Sequence, residues 1–441
     1  MTDGSLELYQ QALRYLKGRE RYGIKFGLEN IARLMKALGR PELDYESILI
    51  AGTNGKGSTA ALLESILRNA GRRTGRYTSP HIRQVEERIA LEGQPISRSE
   101  LGSAVGRVAE AAGALWPDDT AAPTFFEAMT AAAFVVFAEH RVEVAVLEVG
   151  MGGRYDATNV VPAGLSIVTT IGFDHERFLG STLASIASEK AAIIKEGRPV
   201  VVGRLLPEAL QVVREEAKRK KATVIEAIRE VEIEAVEELA GGQRLRLRTE
   251  QNDYGSLVLP LLGQHQLDNL AVAVRAAEVA CPPGSLDKEV VRQGIQGARW
   301  PGRLERIAGT PPILLDAAHN VQAVDALVRY LEQHPHPRRV LLFGVMKDKR
   351  VFEMLSRLLP HVAYLVASRP AMSRSRGPEQ LSRWAVERGT PAEAIRSSSE
   401  ALSRARELAG PDGEILVAGS IFLLGEIVAW LAQGRKALAP V

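Results

Sequence analysis

The chain has one cysteine in 441 residues, Cys281. No internal disulfide can form, which removes the small disulfide-stapled secreted folds and fits a reducing compartment. Cys281 precedes Pro282-Pro283 with no motif around it, so it carries no catalytic expectation. An excess of one charge is also missing: 56 Lys plus Arg face 53 Asp plus Glu, a net charge of +3. That balance lacks the electrostatic footprint of a nucleic-acid or membrane-surface binder. The one local exception, Lys218-Arg219-Lys220-Lys221, reads as a solvated helix face. Long apolar runs are missing too. Thr130–Ala138 is too short, and Ile421–Ala432 is broken by Gly425 and Glu426, where a membrane-crossing helix needs about 20 apolar residues. Met1-Thr2-Asp3-Gly4-Ser5 lacks the basic and apolar regions of a secretion signal. The expectation is a cytoplasmic protein with neither a nucleic-acid nor a membrane partner.

What is present is the profile of a globular protein, 46% hydrophobic and 25% charged, long enough for two or three domains. Apolar residues at helical spacing (Leu6, Tyr9, Leu13, Leu16, then Ile31, Leu34, Leu38) predict helix over 5–38. From 47 to about 205, strands and helices alternate. The strand cores Ile48–Ala51, Val144–Val149, Leu165–Thr170 and Val200–Val202 are nearly all apolar, as in a parallel sheet covered on both faces. A helix is expected at Phe125–His140. Residues 223–262 alternate polar and apolar positions and predict a small antiparallel meander, followed by a helix at Leu267–Ala280. After Trp300-Pro301-Gly302 a second alternating series begins, with strands Ile313–Asp316, Val340–Phe343, Ala363–Ala367 and Glu414–Ala418. The fold expected is α/β. An N-terminal domain over 1–297 has a mostly parallel sheet of phosphate-loop type plus the meander. A smaller, doubly wound C-terminal domain covers 298–441.

The chemistry starts at Ser47–Thr59, SILIAGTNGKGST. A buried strand runs into a glycine-rich loop with one lysine, then into the apolar start of a helix. Glycines let backbone N–H groups converge on phosphate oxygens; the helix N-terminus and Lys56 add positive charge. The loop departs from the usual Gly-Lys-Ser/Thr ending, because Gly57 separates Lys56 from Ser58. Ligands in open α/β sheets gather at the carboxyl ends of strands. Two such ends carry Glu148, placed to hold Mg²⁺ on ATP, and Asp174-His175. Lys190 follows in a helical stretch. In the second series, Asp316-Ala317-Ala318-His319-Asn320 ends a strand, so two domains closing over one nucleotide are expected.

Together these segments resemble folylpolyglutamate synthase and the bifunctional dihydrofolate synthase of the Mur ligase superfamily. The resemblance rests on Phe26–Asn30, Gly52–Ser58, Thr78–His81, Glu87–Ile89, Thr124–Glu127, Glu148–Gly150, Asp156–Asn159, Asp174-His175 with Leu179-Gly180, and Glu189–Ala191. It continues through Gly263–Gln266 with Asn269, Trp300–Glu305, Asp316–Asn320 and Met346–Lys349, in the family's order. The resemblance implies that Asn54, Gly55, Lys56, Gly57 and Ser58 hold the ATP phosphates, and that Asn269, Arg303 and Asp316 contact the nucleotide. His319 lies nearby. Lys56, Lys190, Arg303 and His319 are the implied catalytic set. Ser79, Glu148 and His175 are the implied Mg²⁺ ligands, where a phosphate-loop argument alone chooses Ser58. Lys190 is implied to be carbamylated and to ligate a second Mg²⁺. The pterin is assigned to Gly27, Leu28, Glu29 and Asn30, to Thr124, Phe125, Phe126 and Glu127, and to Tyr155, Asp156 and Ala157. Three residues depart from the family pattern: Ala317 and Ala192 replace glycines, and Tyr155 replaces a common leucine.

The activity implied is ATP-dependent amide ligation of L-glutamate to dihydropteroate or to the γ-carboxylate of a reduced folate, by a monomer. Three alternatives compete with it. A Mur-type ligase of UDP-linked cell-wall precursors is opposed by the segments Phe26–Asn30 and Thr78–His81. A non-catalytic nucleotide-binding regulator is opposed by the presence of Lys190, His175 and Arg303. A nucleic-acid-directed NTPase is opposed by the missing basic surface.

Overall fold

The computed structural model describes residues 3–23, 25–119, 121–282 and 284–437. Met1, Thr2 and Pro283, used in the sequence reading, lie outside them. The first sheet has eight strands: β1 (Glu46–Ala51), β2 (Thr74–Tyr77), β3 (Ile89–Leu91), β4 (Gln94–Pro95), β5 (Val144–Glu148), β6 (Leu165–Val168), β7 (Val200–Val202) and β8 (Val224–Glu226). Their order is β4-β3-β2-β5-β1-β6-β7-β8. β2, β5, β1, β6, β7 and β8 are parallel, while β3 and β4 turn back antiparallel. The apolar runs divide by strand alternation. Leu49, Ala51, Ala145 and Leu147 face one core; Ile48, Ile50, Val144 and Val146 face the other. Both faces of the sheet are therefore covered, as its unbroken hydrophobicity requires.

The helix expected over 5–38 is two helices, Asp3–Arg19 and Glu29–Ala37. Between them Gly23 and Gly27 adopt positive φ (59° and 126°), which a continuing helix does not allow. Strands β2, β3 and β4 escape the sequence pattern because they are short, and β2 carries Thr74 and Arg76, whose polar groups satisfy the buried Glu64. Thr74 Oγ1 donates to it at 2.7 Å and Arg76 Nη1 lies 3.3 Å away. The meander expected over 223–262 starts only at Val231, because Val224–Glu226 pairs parallel with β7 as the edge of the first sheet and Ala227–Glu230 is a helical turn.

The meander is β9 (Val231–Leu239), β10 (Gly242–Thr249) and β11 (Asp253–Leu259), antiparallel throughout. Its buried side presents Leu245, Leu247, Leu257 and Leu259 to the second core. The third sheet has β12 (Glu305–Ile307), β13 (Ile313–Leu315), β14 (Arg339–Phe343), β15 (Tyr364–Ala367), β16 (Ala392–Ala394) and β17 (Glu414–Ala418), in the order β12-β13-β17-β14-β15-β16. Only β12 is antiparallel. The chain passes to this sheet after the helix Lys288–Gly297. Side-chain bonds then tie the two halves together. Asn320 Nδ2 donates to Asn54 Oδ1 at 2.9 Å, Lys349 pairs with Asp174, and Arg350 meets Glu176 at 2.6 Å.

Candidate active site

β1 lies between β5 and β6, where the strand order reverses, so its carboxyl end opens on a crevice. Gly52 leaves β1 at φ 157° with Thr169 packed where a side chain would go. Gly55, at φ 85°, forms the cap of the helix Lys56–Asn69. Thr53 N–H donates to Thr170 O at 2.7 Å, and Thr53 Oγ1 accepts from Gly172 N–H at 3.0 Å, so β6's exit strand clamps the loop. Lys56 Nζ donates to Gly52 O (3.0 Å) and Thr53 O (3.2 Å) and lies 4.0 Å from Glu148. The helix N-terminus and the ammonium thus converge on one concave loop, an anion site by construction.

Around it sit buried groups under electrostatic tension. Among the described residues Glu148 accepts only the Ser79 N–H, at 3.1 Å. Burial raises its pKa against the opposing pull of Lys56 and that N–H. Lys190, on the helix Leu183–Ala191, donates to Gly52 O at 2.9 Å. Burial, and secondarily Lys56, lowers its pKa from 10.5 to about 7. Half-buried His175 is pushed down to about 4, chiefly by burial. Burial disfavours the Asp174 anion, yet the neighbouring His319 and the Lys349 charge hold its carboxyl far below the usual range. His319 presents Nε2 to Asp174 at 3.6 Å, with Nδ1 2.8 Å from Ala317 O.

From the third sheet come the loops after β13 and β17. Asp316 accepts from Leu304 and Ala318 N–H groups, both at 2.9 Å, so its carboxylate builds the loop it stands on. Arg303 Nη1 donates to Gly302 O at 2.9 Å; among the described residues it makes no carboxylate ion pair. Burial lowers its pKa despite Asp316 and Glu148. Asn269 donates to Gln266 Oε1 at 2.8 Å and packs over Gly55. One cavity of about 680 Å³ joins these groups. Asn54 to Ser58, Ser79, Glu148, His175, Lys190, Asn269, Arg303, Asp316 and His319 all line it.

The cavity also reaches Gly27, Thr124, Phe126, Glu127, Tyr155, Asp156 and Ala157, but not Leu28, Glu29, Asn30 or Phe125. Asn30 instead donates to Ala121 O at 3.1 Å, and Phe125 lies under the Arg88 guanidinium, 5.0 Å away. Thr124 and Glu127 form a capping box at the start of the helix Phe125–Glu139. Asp156 is bonded to Met151 N–H (2.9 Å) and Thr158 Oγ1 (2.6 Å). The exposed rings of Tyr155 and Phe26 meet edge to face at 6.3 Å. Lys349, Arg374, Ser420 and Phe422 line the cavity without having been given a role from sequence. Ser420 and Phe422 follow the apolar strand β17, and the strand-end rule that found Glu148 could have found them.

A phosphate loop in one α/β domain and loops of a second closing over it define the class, a two-domain nucleotide-site ligase of Mur type. The Mur ligase middle domain matches residues 50–277, and the Mur ligase glutamate ligase domain matches 302–421. The Bacillus subtilis dihydrofolate synthase/folylpolyglutamate synthase is 41% identical over 354 residues, 79% of this chain and 82% of that protein. The Mycobacterium tuberculosis folylpolyglutamate synthase solved with ADP and AMPPCP superposes with a TM-score of 0.90 at 34% identity. That match covers 99% of this chain and 100% of the other. The E. coli FolC structure with DHPP and ADP gives 0.84 at 29%, covering 97% and 98%. The chain belongs to the folylpolyglutamate synthase/dihydrofolate synthase family of Mur ligases.

Proposed function

We propose that the protein joins L-glutamate to dihydropteroate or a reduced folate at the expense of ATP. The single observation that carries this is the shared cavity, in which the half-buried Lys56 and the buried Lys190 and Glu148 of one domain face the loops of the other. An acceptor carboxylate oxygen attacks the γ-phosphorus, the bond to ADP breaks, and an acyl phosphate forms. The glutamate amine then attacks the acyl carbon, phosphate leaves, and the nitrogen loses its proton. A carboxylate is a poor electrophile, so this activation is what the ATP supplies. Most of the catalysis is positioning and charge neutralisation. Lys56 and Arg303 face the charge that builds on the transferred phosphoryl group. Closure of the two domains of one chain keeps water from the acyl phosphate, and the complete site within one chain favours a monomer.

The residues fit Mg²⁺. Among the described residues no three His, Cys, Asp or Glu side chains form a metal cage. Mg²⁺ characteristically takes one or two carboxylates and completes its shell with phosphates and water. Among the described residues Glu148 is a buried oxygen donor with a single hydrogen bond, and burial keeps His175 neutral and able to ligate. Ser79, Glu148 and His175 would hold the ion, which when bound neutralises and orients the phosphates. Lys190, with its pKa near 7, has a neutral amine available to add CO₂. The new N–C bond forms with loss of a proton and turns a cation into a carboxylate for a second ion.

The test is glutamate-dependent phosphate release from MgATP with purified protein, run separately with dihydropteroate and with tetrahydrofolate. Release with both establishes a bifunctional enzyme, and release with tetrahydrofolate alone narrows it to a folylpolyglutamate synthase. Release with neither, while ATP still binds, overturns the folate reading.

A further inference from the structure

The glycine that sets this loop apart has a structural counterpart in the segment joining the domains. Gly57 lies in the first turn of the helix Lys56–Asn69, and it is not among the residues with positive φ. Its backbone therefore does not need glycine, and helix propensity favours alanine there. Space decides instead. A Cβ at 57 would fall 2.7 Å from Cε2 and 2.9 Å from Nε1 of Trp300, closer than real carbon atoms approach. A rigid indole cannot yield as a flexible chain end can.

Trp300 is placed to sense both halves of the molecule. It packs on the edge of the second core, and the Arg76 guanidinium lies over its ring at 5.3 Å. Arg76 belongs to β2, whose exit leads to Ser79. Two residues beyond Trp300, Gly302 passes between Leu424 of the C-terminal domain and Ile82; a Cβ there would lie 3.1 Å and 3.3 Å from them. Arg303, which lines the cavity, follows at once. Among the described residues the indole Nε1 is buried without a hydrogen-bond partner, a cost that packing against the loop must offset.

We propose that Trp300 is a positioning residue that couples the interdomain linker to the phosphate loop. Its indole seats in the gap left by the missing side chain at Gly57. The loop takes its phosphate-binding shape only when the linker, and with it Arg303 and the C-terminal domain, is in register. The proposal rests on the loop being the ATP site. ADP binding to the unaltered protein, followed by calorimetry, tests that premise separately.

The experiment is a double-mutant cycle on the full chain. Gly57→Ala should lower kcat/KM for ATP about 100-fold, the scale of an overpacked contact. Trp300→Leu in the same chain removes the clash and should recover about tenfold of that loss. If Gly57→Ala fails to fold, recovery of a cooperative melt in the double variant is the same rescue. Trp300→Phe, with an unchanged Tm, should raise KM for ATP about tenfold and leave KM for the folate acceptor unchanged, a split that a purely structural role would not produce. Losses that simply multiply in the double variant, or equal changes in both KM values for Trp300→Phe, would overturn the coupling.

Discussion

The two walls of the cleft are built on different physical terms. The wall from the first sheet is made of desolvated charge: Lys190 and Glu148 are buried, shifted toward neutrality and fixed by the backbone of Gly52 and Ser79. The wall from the third sheet combines buried Asp316 with half-exposed groups such as His319, and reaches across through side-chain pairs, among them Asn320–Asn54, Lys349–Asp174 and Arg350–Glu176. Low dielectric strengthens the first wall's grip on a phosphoryl group before anything binds. Contact through side chains, with no sheet shared between the halves, suits the second wall to closure. One wall is organised for charge and the other for closure.

That contrast can be broken most forcefully at Lys56. Lys56→Ala should lower kcat about 10³-fold, the upper range for a lost electrostatic stabiliser, with the thermal melt nearly unchanged. Near-normal turnover would remove the first wall's assigned role. Lys349→Ala attacks the closure side. It leaves Asp174 buried without its cation, so glutamate-dependent turnover should fall more than tenfold, while ADP binding measured by calorimetry stays within a few-fold.

Smaller effects sharpen the picture. Tyr155→Leu removes a ring at the cavity's edge and should change KM for the acceptor by a few-fold, roughly the worth of one aromatic contact. It should leave KM for ATP as it was. Lys190 gives a pH signature. Its folded pKa, about 7, lies below the ordinary 10.5. The full cost of burying its charge applies below pH 7, and stability rises between pH 7 and 10.5 as the unfolded chain alone keeps the proton. Lys190→Met should flatten that rise by a few degrees of Tm, measured as Tm against pH.

How far the sequence disclosed all this varies with the kind of signal. Apolar runs such as Ile48–Ile50 revealed both parallel sheets, because a strand buried on two faces has no polar positions to disguise it. Thr74–Tyr77 stayed hidden because the polar residues there pair with Glu64 from a distant helix, a fact of tertiary structure. The break marked by Gly23 and Gly27 was masked by helical spacing on either side of it. The phosphate loop was legible because a strand, glycines and a lysine lie consecutively in the chain. Lys349 lies in the matching segment Met346–Lys349, yet its pairing with Asp174, like the place of Arg374 at the cavity, arises only when the third sheet folds over the first.

The account stands on transfer of the γ-phosphoryl group to the acceptor's own carboxylate. Acceptor labelled with ¹⁸O in that carboxylate, turned over with MgATP and L-glutamate, tests it directly by mass spectrometry of the released phosphate. One ¹⁸O should appear in phosphate per amide formed. Unlabelled phosphate, with the departing ¹⁸O recovered in water instead, would contradict an acyl phosphate formed in this cleft.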